Sequence, residues 1–239
     1  MKISIVTPTF NTIKRIERNL DEVFNPLIVS DPEIEFVIWD NGSTDGTKEY
    51  LKKLECKLGN RLKIHYCDKN VGVNIAVKWV LENTTTEHIF LFNDDYIVKE
   101  KEFYKPYLNF KKPVIASFPE LSDSVHKNGS FFSFTNKQYY QYGDVKSPQC
   151  FRPIYINRQI LNKVNWDDKM FYAYSDLDFM MNAMKLGFPI VWVYQDNPCI
   201  DKINGHNKER LDLYHTHYNS DTDYFYKKWA GFNLVPPEY

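Results

Sequence analysis

The chain has 239 residues, of which 43% are hydrophobic, 26% charged and 16% aromatic, with a formal net charge of −1. That length can bury a substantial core in one domain, and the near-neutral balance gives no overall pull toward nucleic acid or anionic membrane. No apolar run is long enough to cross a bilayer, and the opening MKISIVTPTF already alternates like a strand, so a soluble cytoplasmic protein without a signal peptide is expected. Cys56, Cys67, Cys150 and Cys199 form no CxxC pair and no zinc spacing, and are expected as reduced thiols in or near the core.

In chain order, ISIV (Ile3 to Val6) reads as a strand, followed by Ile13, Ile16, Leu20, Val23 and Phe24 on one face of a helix that Asn11 or Thr12 can cap. NPLIVSDPE reads as a loop, and IEFVIWD (Ile34 to Asp40) as a second strand. After the turn NGSTDGT, Tyr50, Leu51, Leu54 and Leu58 mark a second helix. LKIHYCD gives a third strand ending at Asp68, NVGVNIAVKWVLEN a helix, and HIFLFND a fourth strand. This alternation predicts a mostly parallel central sheet with helices on both faces. Further on, VIASFP, SFFSFT and CFRPIYIN read as strands, QYYQYGD as an aromatic loop and QILNKV as a short helix. SDLDFMMNAMKLG reads as a helix, PIVWVY as the last core strand, and NPCID as a further candidate strand.

Thr7, Asp40, Asp68 and the cluster Asn93 to Asp95 all fall at carboxyl ends of the predicted strands, where open α/β sheets bind ligands. The adjacent Asp94 and Asp95 need a positive charge beside them, because buried charge is costly without a partner. Hard oxygen ligands at a strand end suit Mg²⁺ or Mn²⁺, with water and substrate phosphate filling the shell. No GxGxxG or GxxxxGK[ST] loop follows any strand, which disfavours dinucleotide and P-loop chemistry.

TPTFN, VIWDNGSTDGT, NVGVNIA, FLFNDD and WDDKMFYAYSDLDFMMNAMKLGFPIVWV, in this order, resemble the family-two nucleotide-sugar glycosyltransferases of the GT-A fold. The resemblance implies a donor-binding half over 1–95 and an acceptor-binding and catalytic half over 96–239. Pro8, with Thr7, Thr9 and Phe10, matches the loop that frames the nucleotide base, and Asp40 the aspartate that contacts base or ribose. Asn41 replaces a frequent second aspartate, and Gly72 falls where backbone comes close to the nucleotide. Asn93 to Asp95 matches the DxD motif with asparagine first: Asp95 is implied as a metal ligand, Asn93 as a ribose or metal contact and Asp94 as the variable slot on the donor. Asp176 matches the general base of the xED motif, with Ser175 where glutamate is usual, and Asp178 a further acidic, structural position. Asn182 and Val77 stand where arginine is frequent. His206 is the first choice for a late metal ligand, with Asp201, His215 and His217 as competitors.

The implied reaction moves a sugar from a nucleotide-diphosphate donor, a UDP-sugar by expectation, to an acceptor hydroxyl with inversion, assisted by Mn²⁺ or Mg²⁺. The acceptor is expected to be a glycan, met by the aromatic region from Val114 to Cys150 and by His126. Lys227, Lys228 and Trp229 offer either a phosphate contact or a solvated helix end. The rival readings are a catalytically silent nucleotide-sugar-binding protein, a nucleotidyltransferase, and a glycosyltransferase acting on modified nucleic acid.

Overall fold

A computed structural model describes residues 2–118, 153–192, 200–202 and 208–230. The strands are β1 (Ile3–Thr9), β2 (Ile34–Asp40), β3 (Leu62–Tyr66), β4 (His88–Leu91), β5 (Tyr96–Val98), β6 (Ile115–Ser117), β7 (Ile154–Asn157), β8 (Ile190–Trp192) and β9 (Ile200–Lys202). The helices are α1 (Ile13–Asn19), α2 (Asn25–Ser30), α3 (Thr47–Leu58), α4 (Val73–Glu82), α5 (Arg158–Leu161), α6 (Ser175–Lys185) and α7 (Lys208–Lys228). Seven strands form one sheet in the order β3-β2-β1-β4-β7-β6-β8, while β5 pairs with β9 in a separate two-stranded ribbon. The first four in spatial order are mutually parallel, and β7 runs antiparallel to both of its neighbours.

Side-chain alternation along the strands explains the two cores. Ile3, Ile5, Phe36, Ile38, Phe90 and Phe92 point to one face, under α1, α2 and α3. Val6, Val37, Trp39, Ile89 and Leu91 point to the other, under α4, α6 and the end of α7. Both sets are apolar because both faces are covered, so the strands read as continuous hydrophobic runs. Part of the aromatic excess packs in the first core: Phe90 meets Phe103 and Tyr107 edge to face, and Tyr107 stacks on Phe118 at 4.5 Å.

Three departures from expectation have local causes. NPLIVS is helical: a π turn at Leu20–Phe24 carries α1 into α2, and Pro26 falls in the first turn of α2, the part of a helix that tolerates proline. Leu27 and Ile28 then bury against the sheet. The tail is a 21-residue helix, α7, whose inward stripe mixes charged and aromatic residues. Cys56 lies on the exposed face of α3 rather than near the core. SFFSFT, QYYQYGD, His126, Cys150, Cys199 and His206 lie outside the described residues. Among the described residues no helix is long and apolar enough to cross a membrane.

Pro8 helps open the sheet. Val6 O accepts from Phe92 N and Thr9 O from Asn41 N, so Pro8 turns its missing N–H toward β4, just beyond the last β1–β4 pair at Val6 and Leu91. β1 and β4 therefore part at the carboxyl edge, where TPTFN and NDD face each other.

Candidate active site

At that edge Asp94 ties three segments together. Its Oδ2 accepts from Phe10 N at 2.9 Å and Thr12 Oγ1 at 3.1 Å, and it is ion-paired with Arg210 of α7. Arg210 also donates to Phe10 O at 3.0 Å. These groups are buried, with Arg210 9%, Asp94 7% and Asp95 5% exposed. Burial alone would lower the pKa of Arg210, but the Asp94 carboxylate outweighs it and the net shift is upward, with Tyr172 and Asp95 adding to it. The positive charge beside the acidic pair is thus, for Asp94, a guanidinium. Thr12, at the start of α1, spends its hydroxyl on Asp94 and Thr9, and Asp45 receives Ile13 N instead.

The carboxyl end of β2 forms a second knot. Asp40 is fully buried; Ser43 N donates to its Oδ1 at 3.3 Å, and Oδ2 has no hydrogen-bond partner among the described residues. Burial raises its pKa above the ordinary 3.8, partly offset by Ser43 and Lys48. Asn41 accepts from Trp39 Nε1 and Val71 N, and donates to Asn70 Oδ1 and Gly72 O. Its two unambiguous donors fix the amide orientation, so this position uses both an acceptor and a donor, which aspartate cannot supply. Gly72 has φ +97, and a Cβ there would lie 2.8 Å from Phe171 O; Val73 N also donates to that oxygen. The close approach that requires glycine is thus made by the 171–174 segment of the chain itself.

That segment leads into α6 and Asp176. Asp221 of α7, 3% exposed, accepts from the backbone N–H groups of Phe171, Tyr172 and Ala173 at 2.8, 2.7 and 2.9 Å. Tyr174 follows with φ +63, stacks on Phe225 at 4.8 Å and shares a 2.9 Å hydroxyl contact with Tyr218. Ser175 is buried, and its hydroxyl has no hydrogen-bond partner among the described residues. Asp176 is in the first turn of α6. Asp178 is fully buried and receives Trp229 Nε1 and Lys228 Nζ, each at 2.8 Å; Lys228 also pairs with Asp167. Asp178 therefore fastens α6 to α7, and Lys228 and Trp229 are engaged internally.

The structure brings Thr7, Pro8, Thr9, Phe10, Asp94 and Asp95 to one edge, with Asp40 and Gly72 on the adjoining strand and helix ends. Asn93 is half-buried at the same turn. Val77 is packed in the core, Asn182 donates to Asp178, and Asp68 is exposed beyond β3. His217 stacks on Phe171 at 3.8 Å, and His215 is exposed on α7. Asp201 lies in β9 opposite Ile97. No group of three or more His, Cys, Asp or Glu able to hold a metal forms among the described residues. The buried carboxylate of Asp95, in the same turn as Asn93, nevertheless offers a hard oxygen donor of the kind a divalent cation takes, and such a cation needs few protein ligands when phosphate and water complete its shell. Arg210 and Asp221 were missed from sequence; the stripe 210, 214, 217, 221, 225 at helical spacing was the available signal.

Parallel strands in this order, with a polar edge fed by the loops after β1, β2 and β4, define a GT-A nucleotide-diphospho-sugar transferase fold, and solved structures agree. Staphylococcus aureus TarS 1–349 in complex with UDP-GlcNAc aligns with a TM-score of 0.63 and 19% identity over 87% of this chain and 60% of that one. Glucosyl-3-phosphoglycerate synthase from Mycobacterium tuberculosis, in complex with Mn²⁺, UDP and glucosyl-3-phosphoglycerate, aligns with a TM-score of 0.63 and 15% identity over 99% and 81%. Residues 4–169 match glycosyl transferase family 2, and the chain belongs to that family. Among curated relatives, a Bacillus subtilis (strain 168) protein named for teichuronic acid biosynthesis, the glycosyltransferase TuaG, is 35% identical over 100 residues, 41% of this chain and 38% of TuaG. The poly(ribitol-phosphate) beta-N-acetylglucosaminyltransferase TarS of Staphylococcus aureus (strain Mu50 / ATCC 700699) is 33% identical over 108 residues, 42% of this chain and 17% of TarS. In both cases the match covers well under two thirds of the relative's length.

Proposed function

We propose that the chain is an inverting glycosyltransferase that moves a sugar from a UDP-sugar to an acceptor hydroxyl, the acceptor being a glycan. One observation carries the reading: α7 is bonded through Arg210 to the Asp94 carboxylate and Phe10 O, and through Asp221 to the backbone of Phe171 to Ala173 that leads into Asp176, so one helix ties the donor-side acids to the base-bearing loop. In this reading Asp40 turns its Oδ2, which has no hydrogen-bond partner among the described residues, to an N–H or O–H of the base or ribose. Thr7, Pro8, Thr9 and Phe10 frame the base, and Asn93 and Asp94 shape the ribose and diphosphate side. Asp176 takes the proton from the attacking hydroxyl.

Asp95 and His206 are the residues proposed to hold Mn²⁺ or Mg²⁺. When bound, such a cation supplies Lewis-acid stabilisation of the departing diphosphate. UDP bears upon the donor choice because the TarS and Mycobacterium tuberculosis neighbours are complexes with UDP-GlcNAc and UDP.

The test is UDP release from UDP-GlcNAc, UDP-glucose and UDP-galactose with Mn²⁺, comparing the parent with Asp176→Asn. Loss of about 10²- to 10⁴-fold in kcat is expected on removing the base. Parent-level turnover in that variant would refute the base assignment, and no turnover of any donor by the parent would favour a silent binding protein.

A further inference from the structure

We propose that Asp221 is a positioning residue for the general base: its buried carboxylate shapes the 171–174 turn and thereby sets where Asp176 stands relative to the donor-side loop. This rests on the reading of Asp176 as base.

Three consecutive backbone N–H groups converging on one acceptor form an anion-binding concavity, here filled by a side chain of the same chain. The donors are Phe171, Tyr172 and Ala173, and the acceptor oxygens are Oδ1 for the first and Oδ2 for the other two. With their N–H groups drawn toward α7, these residues cannot continue α6 backward, so the helix starts only at Ser175. Tyr174 bridges the change of direction in the left-handed region, at φ +63, a conformation that costs a bulky side chain roughly 1–2 kcal/mol. The turn therefore does not hold this shape on local preference.

What holds it is one face of α7. Tyr218, Asp221 and Phe225 are spaced by three and four residues and so project from the same side of the helix. Tyr218 meets the Tyr174 hydroxyl, Phe225 stacks on its ring, and Asp221 gathers the three preceding N–H groups. On the opposite side Phe171 O receives Val73 N, and Gly72 lets the two backbones approach to a distance that a Cβ would forbid. The turn is thus gripped between α7 and the start of α4, and Asp176 follows two residues after Tyr174. Asp221 is occupied by backbone on every bond described, which suits orientation of a neighbour and not proton transfer.

Asp221→Asn tests this, because the amide keeps the shape while its –NH₂ cannot accept a hydrogen bond. UDP-GlcNAc hydrolysis with Mn²⁺, UDP affinity by calorimetry, and amide exchange at 171–173 are compared for the parent, Asp221→Asn, Asp176→Asn and the exposed control Asp223→Asn. We expect kcat to fall about 10- to 100-fold in Asp221→Asn, the scale of a small misplacement of a reacting group. UDP affinity should stay within about twofold, and exchange should accelerate at Phe171 to Ala173 but not in β1 or α4. A kcat equal to that of Asp223→Asn, or a loss confined to UDP affinity, overturns the proposal. If Asp221→Asn does not fold, Tyr218→Phe, which deletes only the hydroxyl bound to Tyr174, must lower kcat at unchanged UDP affinity; an unchanged kcat overturns the proposal. Parent-level turnover by Asp176→Asn, or no turnover of UDP-GlcNAc, UDP-glucose or UDP-galactose by the parent, overturns the base assignment underneath it instead.

Discussion

Replacing Arg210 by methionine keeps much of the side-chain volume but removes the cation from Asp94. The Asp94 carboxylate would then remain buried, retaining Phe10 N and Thr12 Oγ1 while Phe10 O loses its guanidinium donor. Removing one partner of a buried pair costs about 3–5 kcal/mol, because the surviving charge stays desolvated. Against a typical total of about 5–15 kcal/mol, that is a large fraction of the stability. At about 2–4 °C per kcal/mol for a chain of this size, the melting temperature should drop by roughly 6–20 °C. The assay is urea unfolding of the parent, Arg210→Met, Asp94→Asn and the double variant. In the double variant no charge is stranded, so its loss should fall short of the summed single losses by about 2 kcal/mol. A loss below about 1 kcal/mol in Arg210→Met, or single losses that add to within about 0.5 kcal/mol, would show that the pair is not the anchor described.

Gly72→Ala should cost roughly 1–3 kcal/mol for its positive φ alone, and more because the new Cβ must displace Phe171 O; thermal melts read the loss, and a variant as stable as the parent would contradict the close approach. Asn41→Asp keeps acceptors for Trp39 Nε1 and Val71 N but sets a carboxylate against Gly72 O and Asn70 Oδ1, which should cost about 1–3 kcal/mol in chemical unfolding despite the near-identical shape. Burial holds the Asp40 carboxyl above its unfolded value of 3.8, so the folded chain binds that proton more tightly and stability declines as pH rises from 3.8 through the native pKa. Asp40→Asn should remove that decline, melt above the parent at pH 7 and bind UDP more weakly; parallel melting curves across pH would refute it. For His88, burial lowers the pKa below the ordinary 6.5, so stability should fall as pH drops below 6.5 toward the native value, a slope absent in His88→Phe.

The sheet was legible because short apolar runs such as Ile34–Asp40 end at turn residues and alternate with segments of helical periodicity; with both faces apolar, the sequence did not say that Ile3, Ile5 and Phe90 enter one core and Val6, Ile89 and Leu91 the other. The helix over Asn25–Ser30 was hidden by Pro26 within its first turn and by Asp31–Pro32 after it, which read as punctuation although burial of Leu27 and Ile28 overrides it. α7 was hidden because the buried positions on its inner face include Arg210 and Asp221, residues that a hydrophobic pattern scores as solvent-facing. In the site, the strand-end acids could be located from sequence, but the partner of Asp94 lies 116 residues away and carries no local signature. The role of Asn41 was equally hidden, since its four contacts reach Trp39, Asn70, Val71 and Gly72 across a loop.

Arg210 and Asp221 are eleven residues apart on one uninterrupted helix, about 16 Å of stiff rod. Such a rod does not shorten, so when it slides along its axis both ends move together, the Asp94 end and the Phe171 end alike. Thermodynamic reciprocity then applies: a molecule that seats the first end more firmly alters affinity at the second by the same factor that it experiences in return. A sugar donor seated at the first end and an acceptor at the second, in the proposed function, would then influence each other through the helix without touching.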